Sequence, residues 1–333
     1  VQPGSRSIPG VSPGELTPDR IEAAARRIAG HVNHTPIVTS RGLDERAGVE
    51  VFVKPEMLQR TGSFKFRGAL NRLGCMTPPE RSAGVVTYSS GNHGAAVALA
   101  GTIVGTAVTV VAPVDAPRIK LDAIRSFGAQ LRLYEPERER REDVAAAIAQ
   151  DQGALVVPPF DDIEVMAGQG TVALELVDAR ADLDAVVVPV GGGGLLAGVA
   201  TAVRSSMGPR CRVVGVEPAG ADDTRRSLAA GRRIELDEVS TIADGLRAPV
   251  PGALTFEVNR RLVDCVVVVS ETQIVHAMRY CFEELKLVVE PSGAVGLAAL
   301  LTGAAGTLGS RVGLVLSGGN VDPDRFAQLL EGA

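Results

Sequence analysis

Lysine is scarce in this chain: Lys54, Lys65, Lys120 and Lys286 are the only four among 333 residues and 34 basic side chains. Cysteine is as scarce, and Cys75, Cys211, Cys265 and Cys281 lie far apart without the paired spacing of a zinc site or redox motif. That excludes a disulfide framework and reads as reduced core thiols in a cytoplasmic protein. Aromatic residues are 3% of the chain, no basic stripe is interleaved with them, and the net charge of -5 comes from intermixed signs. Nucleic acid is thereby excluded as a partner. No window approaches the roughly 20 uninterrupted apolar residues that span a bilayer, so no membrane segment is expected. His31 and His34, separated by two residues, have no carboxylate or thiol beside them in a ligand spacing. The opening stretch Val1 to Gly14, with Pro3, Pro9 and Pro13, lacks the charged-then-apolar layout of a signal peptide and reads as part of a flexible tail over residues 1–16.

What is present is the composition of a globular α/β protein. Hydrophobic residues are 45% and charged residues 22%, while 38 glycines suggest many tight turns and close backbone approaches. A chain this long is organised as one large or two medium units, which leaves room for a cleft. Thr17-Pro18-Asp19 is a helix start with a capping hydroxyl and proline in the first turn. Strand-like runs at 49–54, 84–88, 107–112, 130–134, 154–157, 185–190, 211–217, 263–269 and 312–316 alternate with helical runs, among them 66–73, 95–100, 117–127, 141–150, 168–179, 195–206, 271–284 and 292–301. Alternation of this kind predicts βαβ crossovers and a parallel sheet.

Two stretches carry chemistry. Thr61-Gly62-Ser63-Phe64-Lys65-Phe66-Arg67-Gly68-Ala69 sets one lysine between two aromatic rings and small residues, where an amine in an apolar wall keeps a lowered pKa and can serve as nucleophile and base. Val190-Gly191-Gly192-Gly193-Gly194-Leu195 joins a strand to a helix start through four glycines, a layout that turns successive N–H groups and the helix dipole onto an anion. The same segment satisfies a dinucleotide fingerprint, Gly192-x-Gly194-x-x-Ala197, with Glu217 ending the next strand, so a Rossmann NAD site is the rival reading of this loop. An NAD site leaves the Lys65 stretch, Ser89-Ser90-Gly91-Asn92-His93-Gly94 and Ser317-Gly318-Gly319-Asn320 without a shared purpose. The latter two follow predicted strands, and ligands of parallel sheets gather at strand carboxyl ends.

These motifs, with Lys54-Pro55-Glu56, Ala167-Gly168-Gln169-Gly170-Thr171, Thr241-Ile242-Ala243-Asp244-Gly245 and Glu290-Pro291-Ser292-Gly293, resemble the fold type II pyridoxal-phosphate (PLP) dependent serine/threonine dehydratase family from about Thr17 to Leu330. The resemblance implies a two-domain α/β fold like the tryptophan synthase β-subunit, with parallel or mixed sheets flanked by helices. Its large PLP-binding domain would comprise 17–80 and 158–333, and a small domain, 81–157, would be inserted in it. It also implies that Lys65 holds PLP as a Schiff base and then removes the substrate Cα proton. Gly191, Gly192, Gly193, Gly194 and Leu195 would cradle the phosphate, Asn92 bond the ring hydroxyl, Phe64 lie against the ring and Ser317 face the ring nitrogen. Ser89, Ser90, Asn92 and His93 would bind the substrate carboxylate. Glu217, Asp223 and the Ala221 carbonyl resemble a cation loop for Mg²⁺ or Ca²⁺, an all-oxygen set suited to hard cations.

The activity implied is conversion of L-threonine or L-serine to a 2-oxo acid and ammonia. A hydroxyl rather than a carboxylate at the ring nitrogen makes a weaker electron sink, which favours loss of a β-leaving group over transamination. Ser90 permits serine racemisation, and serine there also occurs in dehydratases of hydroxyaspartate. Phe160 matches the dehydratase pattern, whereas animal serine racemases have asparagine there; Val157 departs from the family's frequent histidine. A catalytically silent PLP or amino-acid binding protein is the remaining class. The partners implied are a small amino-acid substrate and further copies of the chain, as homodimer or homotetramer. Nothing resembling a regulatory amino-acid-binding domain follows the catalytic region, so isoleucine control is not expected.

Overall fold

The computed structural model describes residues 14–116 and 118–331, apart from the side chain of residue 119. Of the tail expected at 1–16, residues 1–13 lie outside the described residues, while Leu16 is buried in a core cluster. Among the described residues the strands are β1 (Glu50–Pro55), β2 (Val85–Tyr88), β3 (Val108–Pro113), β4 (Gln130–Tyr134), β5 (Leu155–Val156), β6 (Ala185–Pro189), β7 (Arg212–Pro218), β8 (Cys265–Val269) and β9 (Arg311–Leu316). They form two sheets, of order β1-β9-β6-β7-β8 and β4-β3-β2-β5, and every strand pair is parallel. The smaller sheet takes its strands from residues 85–156.

Both faces of the larger sheet are covered. In β6 every residue is buried, which is why it reads as an unbroken apolar run rather than an alternating one. Side chains still alternate: Val186 and Val188 enter one core with the helices Ile163–Ala179 and Gly194–Met207. Ala185 and Val187 enter the other, with the helices Glu271–Tyr280 and Pro291–Leu301. The helix Lys65–Gly74 buries Phe66, Ala69, Leu70 and Leu73 in a third core, shared with β2, β3 and the helix Asn92–Val104. Lys65 therefore stands on an element that packs toward the smaller sheet.

Glycines fix how closely that helix sits. A Cβ on Gly68 would meet the Val165 carbonyl at 2.6 Å, and one on Gly168 would meet the Arg67 carbonyl at 2.6 Å. The helices Lys65–Gly74 and Ile163–Ala179 thus touch backbone to backbone, a contact closed to any larger residue.

Beneath the start of the same helix lies a buried charge cluster. Arg67 bonds Glu56 through Nε and Nη2 at 2.7 and 2.8 Å and Glu175 through Nη1 at 2.6 Å. Lys54 Nζ donates to Glu175 at 2.6 Å and to the Thr35 carbonyl at 2.5 Å, and the Thr35 hydroxyl donates to Glu56 at 2.7 Å. Two cations face two carboxylates with every member partnered, which offsets the cost of taking them out of water.

Among the described residues no helix is long and apolar enough to cross a membrane, and all four cysteines are free thiols. Short helices at Arg41–Ala47, Pro78–Ala83, Asp223–Ala230, Ala253–Leu262 and Pro323–Glu331 go beyond the sequence reading. The run expected to be helical over 271–284 is α-helical to Tyr280 and then widens into a π turn, Cys281–Leu285.

Candidate active site

The carboxyl ends of β2, β6 and β9, with the chain beyond β5 and the segment after β1, meet at one cleft of about 540 Å³. Phe64, Lys65, Ser89, Ser90, Asn92, His93, Gly191 to Gly194, Leu195 and Ser317 all line it. This is the crevice position that parallel sheets reserve for ligands, and its volume suits a small cofactor with its substrate.

Lys65 is delivered to the cleft by an unusual turn. Thr61 (φ 62°, ψ 10°) and Gly62 (φ 71°) are both left-handed. Ser63 then bridges Gly318, and the Phe64 amide donates to the Ser317 carbonyl at 3.1 Å. Lys65 opens the helix, half-buried, with Nζ donating to the Pro159 carbonyl at 2.7 Å and lying 5.1 Å from the Phe64 ring centroid. Burial lowers its pKa to about 8, with the Glu290 charge opposing the shift.

The glycine loop is held from behind. The Thr255 hydroxyl donates to the Gly192 carbonyl at 2.7 Å and Asn259 Nδ2 to the Gly193 carbonyl at 3.3 Å. Within a planar trans peptide the carbonyl and the following N–H point oppositely, so pinning these carbonyls turns the Gly193 and Gly194 amides the other way. Gly193 has φ 90°, and a Cβ on Gly192 would strike the Phe160 ring at 2.3 Å. The helix Gly194–Met207 has no side-chain cap, leaving its first N–H groups for an anion. Thr255 and Asn259 sit on the helix Ala253–Leu262, whose own N-terminus is capped by Asp161 across 92 residues, at 2.9 Å to the Ala253 amide.

A second open helix start faces the cleft. Asn92–Val104 begins after Gly91 without a side-chain cap, so Ser89 to His93 offer backbone donors beside a positive helix end. His93 Nε2 lies 3.2 Å from the Val157 carbonyl. A carbonyl only accepts, so that nitrogen carries the proton and the buried, unpartnered Nδ1 carries a lone pair. Burial and the Lys65 charge push the His93 pKa down to about 3, and the ring is neutral.

Several cleft residues had no role in the sequence reading. Glu290 accepts from Asn92 Nδ2 at 2.7 Å, and burial, reinforced by Asp244, pushes its carboxyl up to about 8. It heads a motif noted only for its resemblance. Lys120 pairs with Asp244 at 2.6 Å, and Arg141 stacks over Tyr88 at 5.8 Å; all four line the cleft.

Glu217 and Asp223 do not line the cleft; they sit at the end of β7. Glu217 accepts from the Thr224 and Arg225 amides at 2.9 Å each. Asp223 is fully buried and neither of its carboxylate oxygens has a partner. Burial pushes Glu217 up to about 7 and, with the Glu217 charge, Asp223 up to about 8. Ala221 is buried beside them, and Asp222 is occupied by Arg226 at 2.7 Å. Orphaned oxygens on buried carboxylates fit a hard cation.

A cleft that joins a lysine amine of lowered pKa to a glycine anion cradle fits a lysine-linked, phosphate-bearing cofactor. Comparison with known proteins identifies it. Residues 28–318 match the family described as pyridoxal-phosphate dependent enzyme, and the chain belongs to that family. It is 44% identical to the L-threo-3-hydroxyaspartate ammonia-lyase of a Pseudomonas species, over 93% of this chain and 97% of that protein. It superposes on maize serine racemase with a TM-score of 0.90 at 41% identity, covering 96% and 98% of the two chains. The T.th. threonine deaminase gives a TM-score of 0.87 at 44% identity, covering 92% of this chain and 99% of that one.

Proposed function

We propose that this protein eliminates water from a β-hydroxy amino acid, L-threonine or L-serine, whose imine product then takes up water and gives the 2-oxo acid and ammonia. The observation that carries this is the Lys65 amine, its pKa lowered to about 8, in one cleft with the glycine loop and the open start of the helix Asn92–Val104. When bound, PLP supplies the electron sink that acidifies the substrate Cα–H. Gly191 to Gly194 with the Leu195 amide would hold its phosphate, Asn92 the ring hydroxyl, Ser317 the ring nitrogen and Phe64 the ring face, with Lys65 as the attachment point. Lys65 Nζ has a large neutral fraction near pH 8 and takes the proton from Cα. The Ser89 to His93 amides and the Ser90 hydroxyl bind the carboxylate, whereas the His93 ring, which has no free N–H, contributes through its backbone. The hydroxyl at Ser317 favours expulsion of the β-hydroxyl.

A second reading follows from Arg141 and Lys120, two cations lining the cleft. They suit a substrate with a second carboxylate, such as the hydroxyaspartate of the Pseudomonas relative's name. Ser90 supplies a hydroxyl for proton return, which makes serine racemisation a side activity of the same site. The reading carries with it a division at residues 81–157 into a small domain, a homodimeric or homotetrameric assembly, a cytoplasmic location, and Mg²⁺ or Ca²⁺ on Glu217, Asp223 and the Ala221 carbonyl.

The test is a panel of L-threonine, L-serine and L-threo-3-hydroxyaspartate with purified protein and PLP, following oxo-acid release and D-serine together. Oxo acid should exceed D-serine, and Lys65→Ala should abolish both along with the visible cofactor band. Turnover retained by that variant, or a wild-type protein that takes up no PLP, refutes the reading.

A further inference from the structure

We propose that Glu290 and Asn320 are positioning residues that together fix which end of the Asn92 side-chain amide serves the cofactor, and tie that amide to the turn carrying Lys65. The inference rests on the PLP reading for its ligand, but the clamp itself is a property of the chain. An asparagine amide has near-identical ends, so its orientation is set by its partners alone. Here the orientation can be traced from a backbone group. Asn320 Nδ2 donates to the Thr61 carbonyl at 2.6 Å. That carbonyl only accepts, so the nitrogen end of Asn320 is certain. The same nitrogen lies 2.8 Å from Asn92 Oδ1, which must therefore be the oxygen. Asn92 Nδ2 is then the end at Glu290 Oε1, 2.7 Å away.

A flipped Asn92 would set nitrogen against nitrogen at Asn320. Asn92 lines the cleft, and its Nδ2 keeps a second N–H beyond the one given to Glu290, a donor that would suit the ring's phenolic oxygen. Burial raises the Glu290 pKa and so favours its protonated form, but one of its oxygens accepts in either form.

The clamp reaches Lys65 as well. Asn320 bonds the Thr61 carbonyl, the Gly319 amide bonds the Gly62 carbonyl at 3.0 Å, Gly318 bridges Ser63, and the Ser317 carbonyl accepts from Phe64. Four consecutive residues of one segment thus hold the four that precede Lys65. Left-handed backbone at a β-branched residue is costly, and Thr61 at φ 62° stays there under these bonds. A Cβ on Gly62 would meet Asn320 Oδ1 at 2.3 Å, so the glycine next to Thr61 is what lets Asn320 approach.

Asn320 is exposed, so Asn320→Ala should fold. It should weaken PLP binding about tenfold, the worth of one to two hydrogen bonds, and move the visible band. Glu290→Ala should do the same, and Glu290→Gln, which keeps an acceptor oxygen, should restore both. Adding Asn320→Ala to Asn92→Ala should cost less in PLP affinity than Asn320→Ala costs alone, because part of its effect passes through Asn92 and only the bond to Thr61 is then left to lose. Full additivity, or an unmoved band in Asn320→Ala, overturns the proposal. Cofactor-free hydrogen exchange separates this from failure of the PLP reading: Asn320→Ala should speed exchange at the bonded amides of Phe64 and Gly319 and at that of Ala95 together, and a change at one segment alone refutes the clamp.

Discussion

Two of the buried charge groups among the described residues are treated in opposite ways. Under the Lys65 helix, Arg67, Lys54, Glu56 and Glu175 form a neutral set in which each charge meets its counter-charge. At the end of β7, Glu217 and Asp223 are two like charges side by side, with both Asp223 oxygens unpartnered. A closed network of opposite charges is finished by the chain alone and serves to hold an element. An open pair of like charges is not completed by the chain's own cations, and either a bound proton or a cation from outside would complete it. The direction of the carboxylate shifts marks the difference, since Glu175 is lowered while Glu217 and Asp223 are raised toward neutrality; of the two cations in the closed network Arg67 is stabilised as a cation, whereas burial lowers Lys54.

Breaking the closed network should have the largest effect on stability. Arg67→Ala leaves Glu56 buried and uncompensated, which should cost about 3–5 kcal/mol in urea unfolding. Because Arg67 is two residues from Lys65 on the same helix, the cofactor band should weaken in parallel. A loss below about 1 kcal/mol, the scale of an exposed ion pair, would show that the network holds nothing.

Completing the open pair comes next. Mg²⁺ or Ca²⁺ at about 100 times its dissociation constant should raise unfolding free energy by about 2.7 kcal/mol by mass action. Thermal melts with and without chelator read this, and Asp223→Asn should abolish the response. An equal response in Asp223→Asn would place the cation elsewhere.

The closed and open sites also differ in how well a sequence displays them. The cleft was legible because its parts are contiguous motifs at strand ends: the Lys65 run, the glycine loop and Ser317 each carry local turn chemistry, and all of them line one cleft. Its supports were not legible. The helix Ala253–Leu262 has no cap in its own sequence, since Asp161 supplies it from 92 residues away, so neither the helix nor Thr255 and Asn259 behind the glycine loop announced itself. Asn320 closes a motif that was recognised, but its bonds to Thr61 and Asn92 span 259 and 228 residues. The same holds for Arg67, whose partners Glu56 and Glu175 become visible only once β1 and the helix Ile163–Ala179 are in place. Strands survived sequence reading because burial on both faces writes valine into consecutive positions, as in β6. The short helices Arg41–Ala47 and Pro78–Ala83 did carry signals, the Ser40 cap and the Thr77–Glu80 capping box, in segments the sequence reading passed over.

The last test is the pH response of the open pair, and its sign separates the two groups without a mutation. Asp223 is raised from an ordinary 3.8 to about 8 and Glu217 from 4.5 to about 7 in the folded chain. Between those limits the folded state binds more protons than the unfolded one, so the contribution of this pair to stability is greatest below the unfolded pKa values and falls as pH rises toward 8. Each proton of difference is worth up to about 1.4 kcal/mol per pH unit, and the two groups share one strongly interacting titration. Lys65 runs the other way and higher, since its lowered pKa makes stability rise with pH between about 8 and its ordinary 10.5. The closed network lacks a raised carboxylate, and the Glu175 pKa, lowered by Arg67 and Lys54, adds stability that is lost only as pH falls through the acid range. Urea midpoints from about pH 5 to 8 in chelator should therefore decline, with Glu290, raised to about 8, adding a decline of the same sign, and saturating Ca²⁺ should remove the share due to Glu217 and Asp223 by holding both carboxylates ionised. A decline that persists unchanged in Ca²⁺ would mean that Glu217 and Asp223 are not the groups that bind the cation, and the contrast between a finished and an unfinished charge cluster would fail.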